Sequence, residues 1–126
     1  MNEDLSFILE TEKQRYRVLY KIWTNAKRDI RIGVFQEEIA KELNISRDQL
    51  LPILIYLRNE ELIETDNEMV LLTHKGLVEV EKSIKKPEES TEHFASIVIQ
   101  YFHAPVESVQ TGENSTLNQV KRIGDY

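Results

Sequence analysis

Gln36-Glu-Glu-Ile-Ala-Lys-Glu-Leu-Asn-Ile-Ser-Arg-Asp-Gln-Leu-Leu-Pro-Ile-Leu-Ile-Tyr-Leu-Arg-Asn-Glu-Glu-Leu-Ile-Glu64 is the stretch that decides the fold. Ile39, Ala40 and Leu43 share one face of a short helix over Glu37 to Leu43. Asn44 tolerates the left-handed conformation that ends such a helix. Ile45 can plug the core. Ser46 is a good N-cap, because its hydroxyl can accept from a free N–H of the next helical turn. That second helix runs from about Arg47 to Glu60, with Leu50, Ile53, Leu54 and Leu57 inward by their spacing. Pro52 lies well inside it and lacks an N–H, which predicts strain or a bend.

Working outward, Leu62-Ile-Glu-Thr65 and Met69-Val-Leu-Leu-Thr73 read as two strands about the turn Asp66-Asn67-Glu68. Thr73 then caps a helix from His74 to about Ile84, with apolar Leu77, Val78 and Val80. Upstream, Leu5, Ile8, Leu9, Tyr16, Leu19, Tyr20 and Trp23 recur at spacings of three and four, one face of a helix over roughly Asp4 to Ala26. Asp29-Ile-Arg-Ile-Gly-Val34 is β-prone and predicts a short edge strand.

Downstream, the polar, proline-broken stretch around residues 87–94 reads as a linker. Ala95-Ser-Ile-Val-Ile-Gln-Tyr-Phe-His103 is rich in β-branched and aromatic residues, which suggests a strand. A short helix beginning after Ser90 or Thr91 is the rival reading. Two more strands are expected about Gly112-Glu113-Asn114. The predicted organisation is therefore a mainly helical α+β domain over 1–86, a linker over 87–94 and a β-rich tail over 95–126 able to serve as an oligomerisation element.

The order of these elements resembles the winged helix-turn-helix family. The residues that carry the likeness are Glu38-Ile-Ala-Lys-Glu-Leu-Asn-Ile-Ser46, Leu57 with Glu60-Glu-Leu-Ile63, and Leu72-Thr73 with Lys75-Gly76. The resemblance implies a bacterial-type DNA-binding transcriptional regulator acting as a homodimer. In it the helix after the turn would enter the major groove of double-stranded DNA. By position Arg47, Gln49 and Tyr56 would read or approach bases, and Arg28, Arg31 and Lys75 would contact phosphates. Glu61 stands where glycine is usual in the family.

Charge points the other way. The chain of 126 residues carries a formal charge of -6, whereas a nucleic-acid binder usually shows a basic footprint. Lys13, Arg15, Arg17, Lys21, Lys27, Arg28 and Arg31 form a basic stretch. From Ile32 to Glu68, only Lys41, Arg47 and Arg58 face Glu37, Glu38, Glu42, Asp48, Glu60, Glu61, Glu64, Asp66 and Glu68. Leu51, Pro52 and Ile55 occupy positions where polar or basic side chains are common in the family. Leu51 and Ile55 are either covered by the first helix or form an apolar contact for a partner. The alternative reading is thus a winged-helix protein-interaction module without DNA binding.

Other chemistries find little support. There are no cysteines, which removes disulfides and thiolate metal sites. His74, His93 and His103 share no metal-ligand spacing and are expected at the surface or an interface. No Gly-rich phosphate loop or Ser/His/Asp set can be assembled, so neither an enzyme nor a cofactor is expected. An acidic N-terminus unlike a signal peptide and the lack of a long apolar run predict a cytoplasmic protein with no membrane segment.

Overall fold

The computed structural model describes residues 3–103. Its elements are α1 (Glu3–Asn25), β1 (Val34–Phe35), α2 (Gln36–Leu43), α3 (Arg47–Asn59), β2 (Ile63–Asp66), β3 (Met69–Leu72), α4 (His74–Lys85) and α5 (Ser96–His103). The fold is α+β and mainly helical, with one small antiparallel sheet of order β1-β3-β2. Ile63 pairs with Leu72, Asp66 with Met69, and Val34 with Val70. No helix among the described residues is long and apolar enough to cross a membrane.

Each helix boundary has a local cause. Asn44 takes a left-handed φ of 58°, and its N–H and that of Ile45 close the end of α2 on Lys41 and Ala40 carbonyls. Ser46 caps α3 in a reciprocal box: its hydroxyl accepts from the Gln49 N–H at 3.0 Å, and its own N–H donates to the Gln49 side chain at 2.9 Å. Thr73 caps α4 by accepting from Gly76 N–H at 3.0 Å. Its hydroxyl also donates to the Glu61 carbonyl at 2.7 Å, fastening α4 to the turn after α3. Pro52 does not end α3. Both Pro52 and Asp48 are exposed, so the carbonyl left unbonded by the missing N–H is on the solvent side.

The core forms where the five helices and the sheet meet. Tyr16, Leu19, Ile22, Ile39, Leu50, Leu57, Leu62, Ile63, Val70 and Val80 are almost fully buried. Ile53 is only partly buried, and Val78, read as an apolar helix position, is exposed.

Three expectations need correction. The strand read over Asp29 to Val34 is confined to Val34–Phe35. The segment before it is a turn in which Arg31 grips the Asp29 carboxylate through Nε at 3.0 Å and Nη2 at 2.8 Å, while its own N–H binds the same group. This local bonding competes with strand pairing.

The strand read over Ala95 to His103 is instead the helix α5. Its Val98 and Ile99 are buried at three-to-four spacing with Phe94 and Phe102, so tertiary packing outweighs β-propensity here.

The stretch read as a linker turns back into the core at its end. Phe94 is buried with its ring edge-on to Tyr16 at 5.1 Å between centroids, and Ala95 N–H donates to Glu12 on α1 at 3.1 Å. The strands expected about Gly112 lie outside the described residues.

Candidate functional site

Helix α3 presents the face that the sequence marks for recognition. Leu50, Leu54 and Leu57 point into the core. Arg47, Asp48, Leu51, Pro52, Ile55 and Arg58 are exposed. Leu51 is 54% and Ile55 41% exposed, so α1 does not cover them. With Gln36, Leu54, Arg58, Thr65 and Asn67 they line a groove of about 210 Å³ between α3 and the β2–β3 hairpin. The hairpin tip is held against α2: Gln36 N–H donates to the Glu68 carbonyl at 2.9 Å, and its side chain to the Asn67 carbonyl at 3.3 Å.

The side chains expected to touch nucleic acid are already engaged within the chain. Arg47 pairs with Glu68 of the hairpin tip at 3.2 Å. The Gln49 amide closes the α3 cap. Tyr56 turns inward instead of toward solvent: it packs against the core and lies under the Arg15 guanidinium, 3.7 Å from its ring centroid. Burial pushes its hydroxyl above the ordinary tyrosine range, with the Glu60 charge acting in the same direction. Arg28 lies over the Trp23 ring at 4.9 Å. Arg31 is committed to Asp29, whose carboxyl is held down to about 2 by these hydrogen bonds. Lys75 reaches Glu61 at 4.0 Å. Of the expected set, Arg47, Gln49, Leu51, Ile55 and Tyr56 all lie on α3, but the Gln49 amide is held in the cap and Tyr56 packs inward, while Arg28, Arg31 and Lys75 lie on other segments.

A buried polar cluster escaped the sequence reading. The Glu79 carboxylate, on the inner face of α4, accepts from the Thr91 hydroxyl and from His93 N–H at 3.0 Å. The His93 side chain, only 4% exposed, sets Nε2 3.1 Å from Glu60 at the end of α3 and Nδ1 3.5 Å from Glu79. His93 is therefore an internal strut between α3 and α4, not a surface residue. A signal did exist: Glu79 falls three residues after Gly76 and four before Ser83, on the buried side of its helix.

His103 is likewise drawn in. Its Nε2 meets the Tyr16 hydroxyl at 2.7 Å, and Tyr16 also bonds Ser83. His74 is exposed. No group of three or more His, Asp or Glu side chains that could hold a metal occurs among the described residues.

The geometry therefore offers an apolar strip on an outward helix, backed by a hairpin, with Gln36, Arg58, Thr65 and Asn67 as the polar lining of the groove beside it. Among the described residues, the cations expected to contact DNA do not converge on one face. Comparison with family models, with curated proteins and with solved structures finds no match.

Proposed function

We propose that this chain is a winged-helix module that docks a protein through the outward face of α3. The observation that carries this reading is the exposed Leu51–Pro52–Ile55 strip beside the α3–hairpin groove. Those side chains have no hydrogen-bonding capacity for base edges or phosphates. Burying Leu51 and Ile55 against a partner would contribute about 1–2 kcal/mol each at their present exposure. The order α1-β1-α2-α3-β2-β3 and the sheet order β1-β3-β2 support the winged-helix arrangement.

Charge selects the partner's chemistry. Glu37, Glu38, Asp48, Glu64, Asp66 and Glu68 are all exposed on α2, α3 and the hairpin. This field repels a phosphate backbone and suits a surface that is apolar at its centre and basic at its rim.

A second reading, DNA binding by the same helix, is favoured by one feature: Arg47 and Arg58 project from the two ends of α3. Titration of random-sequence duplex at low salt separates the two. Docking to protein predicts no saturable binding. Binding with a steep salt dependence, weakened by Arg47→Ala, would establish the DNA reading in its place.

A further inference from the structure

The groove beside α3 carries a charge that nothing among the described residues neutralises. Leu51, Leu54, Ile55 and Arg58 line it at spacings of three and four, so they form one stripe of α3. Leu54, 2% exposed, makes its floor, while Leu51 and Ile55 stand exposed beside it. Arg58 lies roughly 10 Å along the helix axis from Leu51. Gln36, Thr65 and Asn67 complete the lining. The arginines near the two ends of α3 differ. Arg47 is paired with Glu68 at 3.2 Å. The Arg58 guanidinium has no hydrogen bond, ion pair or ring contact among the described residues, and the Thr65 hydroxyl and the Asn67 side-chain amide have no hydrogen bond there. Glu61, three residues after Arg58, reaches Lys75 instead. Thr65 lines the groove, so its neighbours Glu64 and Asp66 on β2 point to the other face of the sheet.

We infer, on the basis of protein docking at α3, that the groove takes one carboxylate of the partner on Arg58, carried by a peptide segment whose apolar side chains cover Leu51 and Ile55. Three features select this occupant. A guanidinium holds a carboxylate through two parallel N–H donors, and apolar walls that exclude water strengthen the pair. Thr65 and Asn67 add neutral donors to the same groove. The exposed Glu37, Glu38, Asp48, Glu64, Asp66 and Glu68 disfavour a polyanion, whereas a single carboxylate needs only the one cation that is free. The groove, at about 210 Å³, is also smaller than the ~300–1,000 Å³ of small-molecule sites, which suits side chains of a peptide. The docked surface is then apolar at its centre, acidic at one point opposite Arg58 and basic at its rim. Its carboxylate lies roughly 10 Å from the side chain that meets Leu51, about two turns of a helix or three residues of a strand.

The test is selection of a displayed library of random peptides on the full chain, with Leu51→Glu as the counter-screen for the α3 face. Binders lost on Leu51→Glu are expected to share apolar residues and an Asp or Glu at one fixed spacing. A synthetic peptide of that set is then titrated by fluorescence anisotropy. Replacing its acid by the matching amide should weaken binding about tenfold or more, and Arg58→Ala in the protein should do the same. Selection repeated on Arg58→Glu should put Lys or Arg where the acid stood. Arg58 is exposed, so Arg58→Ala is expected to match the melting temperature of the parent. The amide peptide leaves the protein unaltered and reads the same contact from the other side. Leu51-dependent binders that lack an acid, or that are indifferent to both the amide and Arg58→Ala, overturn the inference and leave docking at α3 standing. A library that yields no Leu51-dependent binder overturns both.

Discussion

Glu61→Gly should stabilise the domain, although it removes a charged side chain and a salt-bridge partner. Glu61 follows α3 with φ at +66°, a conformation that costs an L-residue roughly 1–2 kcal/mol because Cβ crowds the backbone. The turn nonetheless adopts it. Glu61 N–H donates to the Arg58 carbonyl at 2.9 Å, Leu62 N–H to the Leu57 carbonyl at 2.9 Å, and the Glu61 carbonyl accepts from Thr73. All of these are backbone groups of residue 61 or its neighbours, and glycine keeps them.

Against the relief stand two losses. Glycine has more freedom in the unfolded chain, costing about 0.4–1 kcal/mol. The Lys75 contact is long, at 4.0 Å, and exposed on both sides, so it is worth at most a few tenths of a kcal/mol. The net gain is about 0.5–1 kcal/mol, or a rise of about 2–6 °C in melting temperature for a domain of this size. Glu61→Ala is the control, since it loses the Lys75 contact but keeps Cβ. Thermal unfolding of parent, Ala and Gly forms by far-UV circular dichroism reads the result. If Gly fails to exceed Ala, or lowers the melting temperature below the parent, the left-handed turn is not where the cost lies.

Three further outcomes are expected. Phe94→Ala should cost about 3–5 kcal/mol, since Phe94 is buried against Tyr16; a loss under ~1 kcal/mol in urea unfolding would mean that residues 91–103 are not part of the core. A Cβ at Gly76 would stand 2.1 Å from the Leu62 carbonyl oxygen, so Gly76→Ala should destabilise by about 1–3 kcal/mol as α4 is forced from the turn, and an unchanged melting temperature would contradict that packing.

The third concerns pH. Burial pushes the Tyr16 hydroxyl up to about 12, so its stabilising contribution is complete below pH 10 and is lost as pH rises through 12. Burial lowers His103 below 6.5, so its contribution is present above that value and lost as pH falls through the depressed one. Tyr16→Phe should flatten the alkaline limb of a stability–pH profile, and an unaltered limb would remove Tyr16 as its cause.

Local chemistry made the central third of the chain legible. Ser46 capping α3, Asn44 ending α2, Thr73 opening α4 and the Asp66–Glu68 turn each act within a few residues. The apolar spacing of Leu50, Leu54 and Leu57 gave the inward face of α3 by the same periodicity. What failed depended on distant partners. Ile97 to Phe102 carry strand-forming side chains, and only the surface of α1, with Tyr16 and Tyr20, makes them a helix. His93 looked like a surface residue because Glu60 and Glu79 reach it from two separate helices. Tyr56 sits among outward residues in sequence, but Arg15 on α1 draws it inward. At the candidate site the sequence placed Leu51 and Ile55 on α3. It gave no sign that Glu68 would hold Arg47 or that Asp29 would hold Arg31.

Docking of a protein on the α3 face is tested most directly by site-specific photocrosslinking from positions 51 and 55. The crosslinker is placed at Leu51, at Ile55 and, as a control on another exposed helix face, at Val78. Protein adducts are expected from positions 51 and 55 but not from 78. Reversing the surrounding charge with Asp48→Lys and Glu68→Lys should abolish them. Adducts to nucleic acid from those two positions, or protein adducts indifferent to both site and charge, would contradict it.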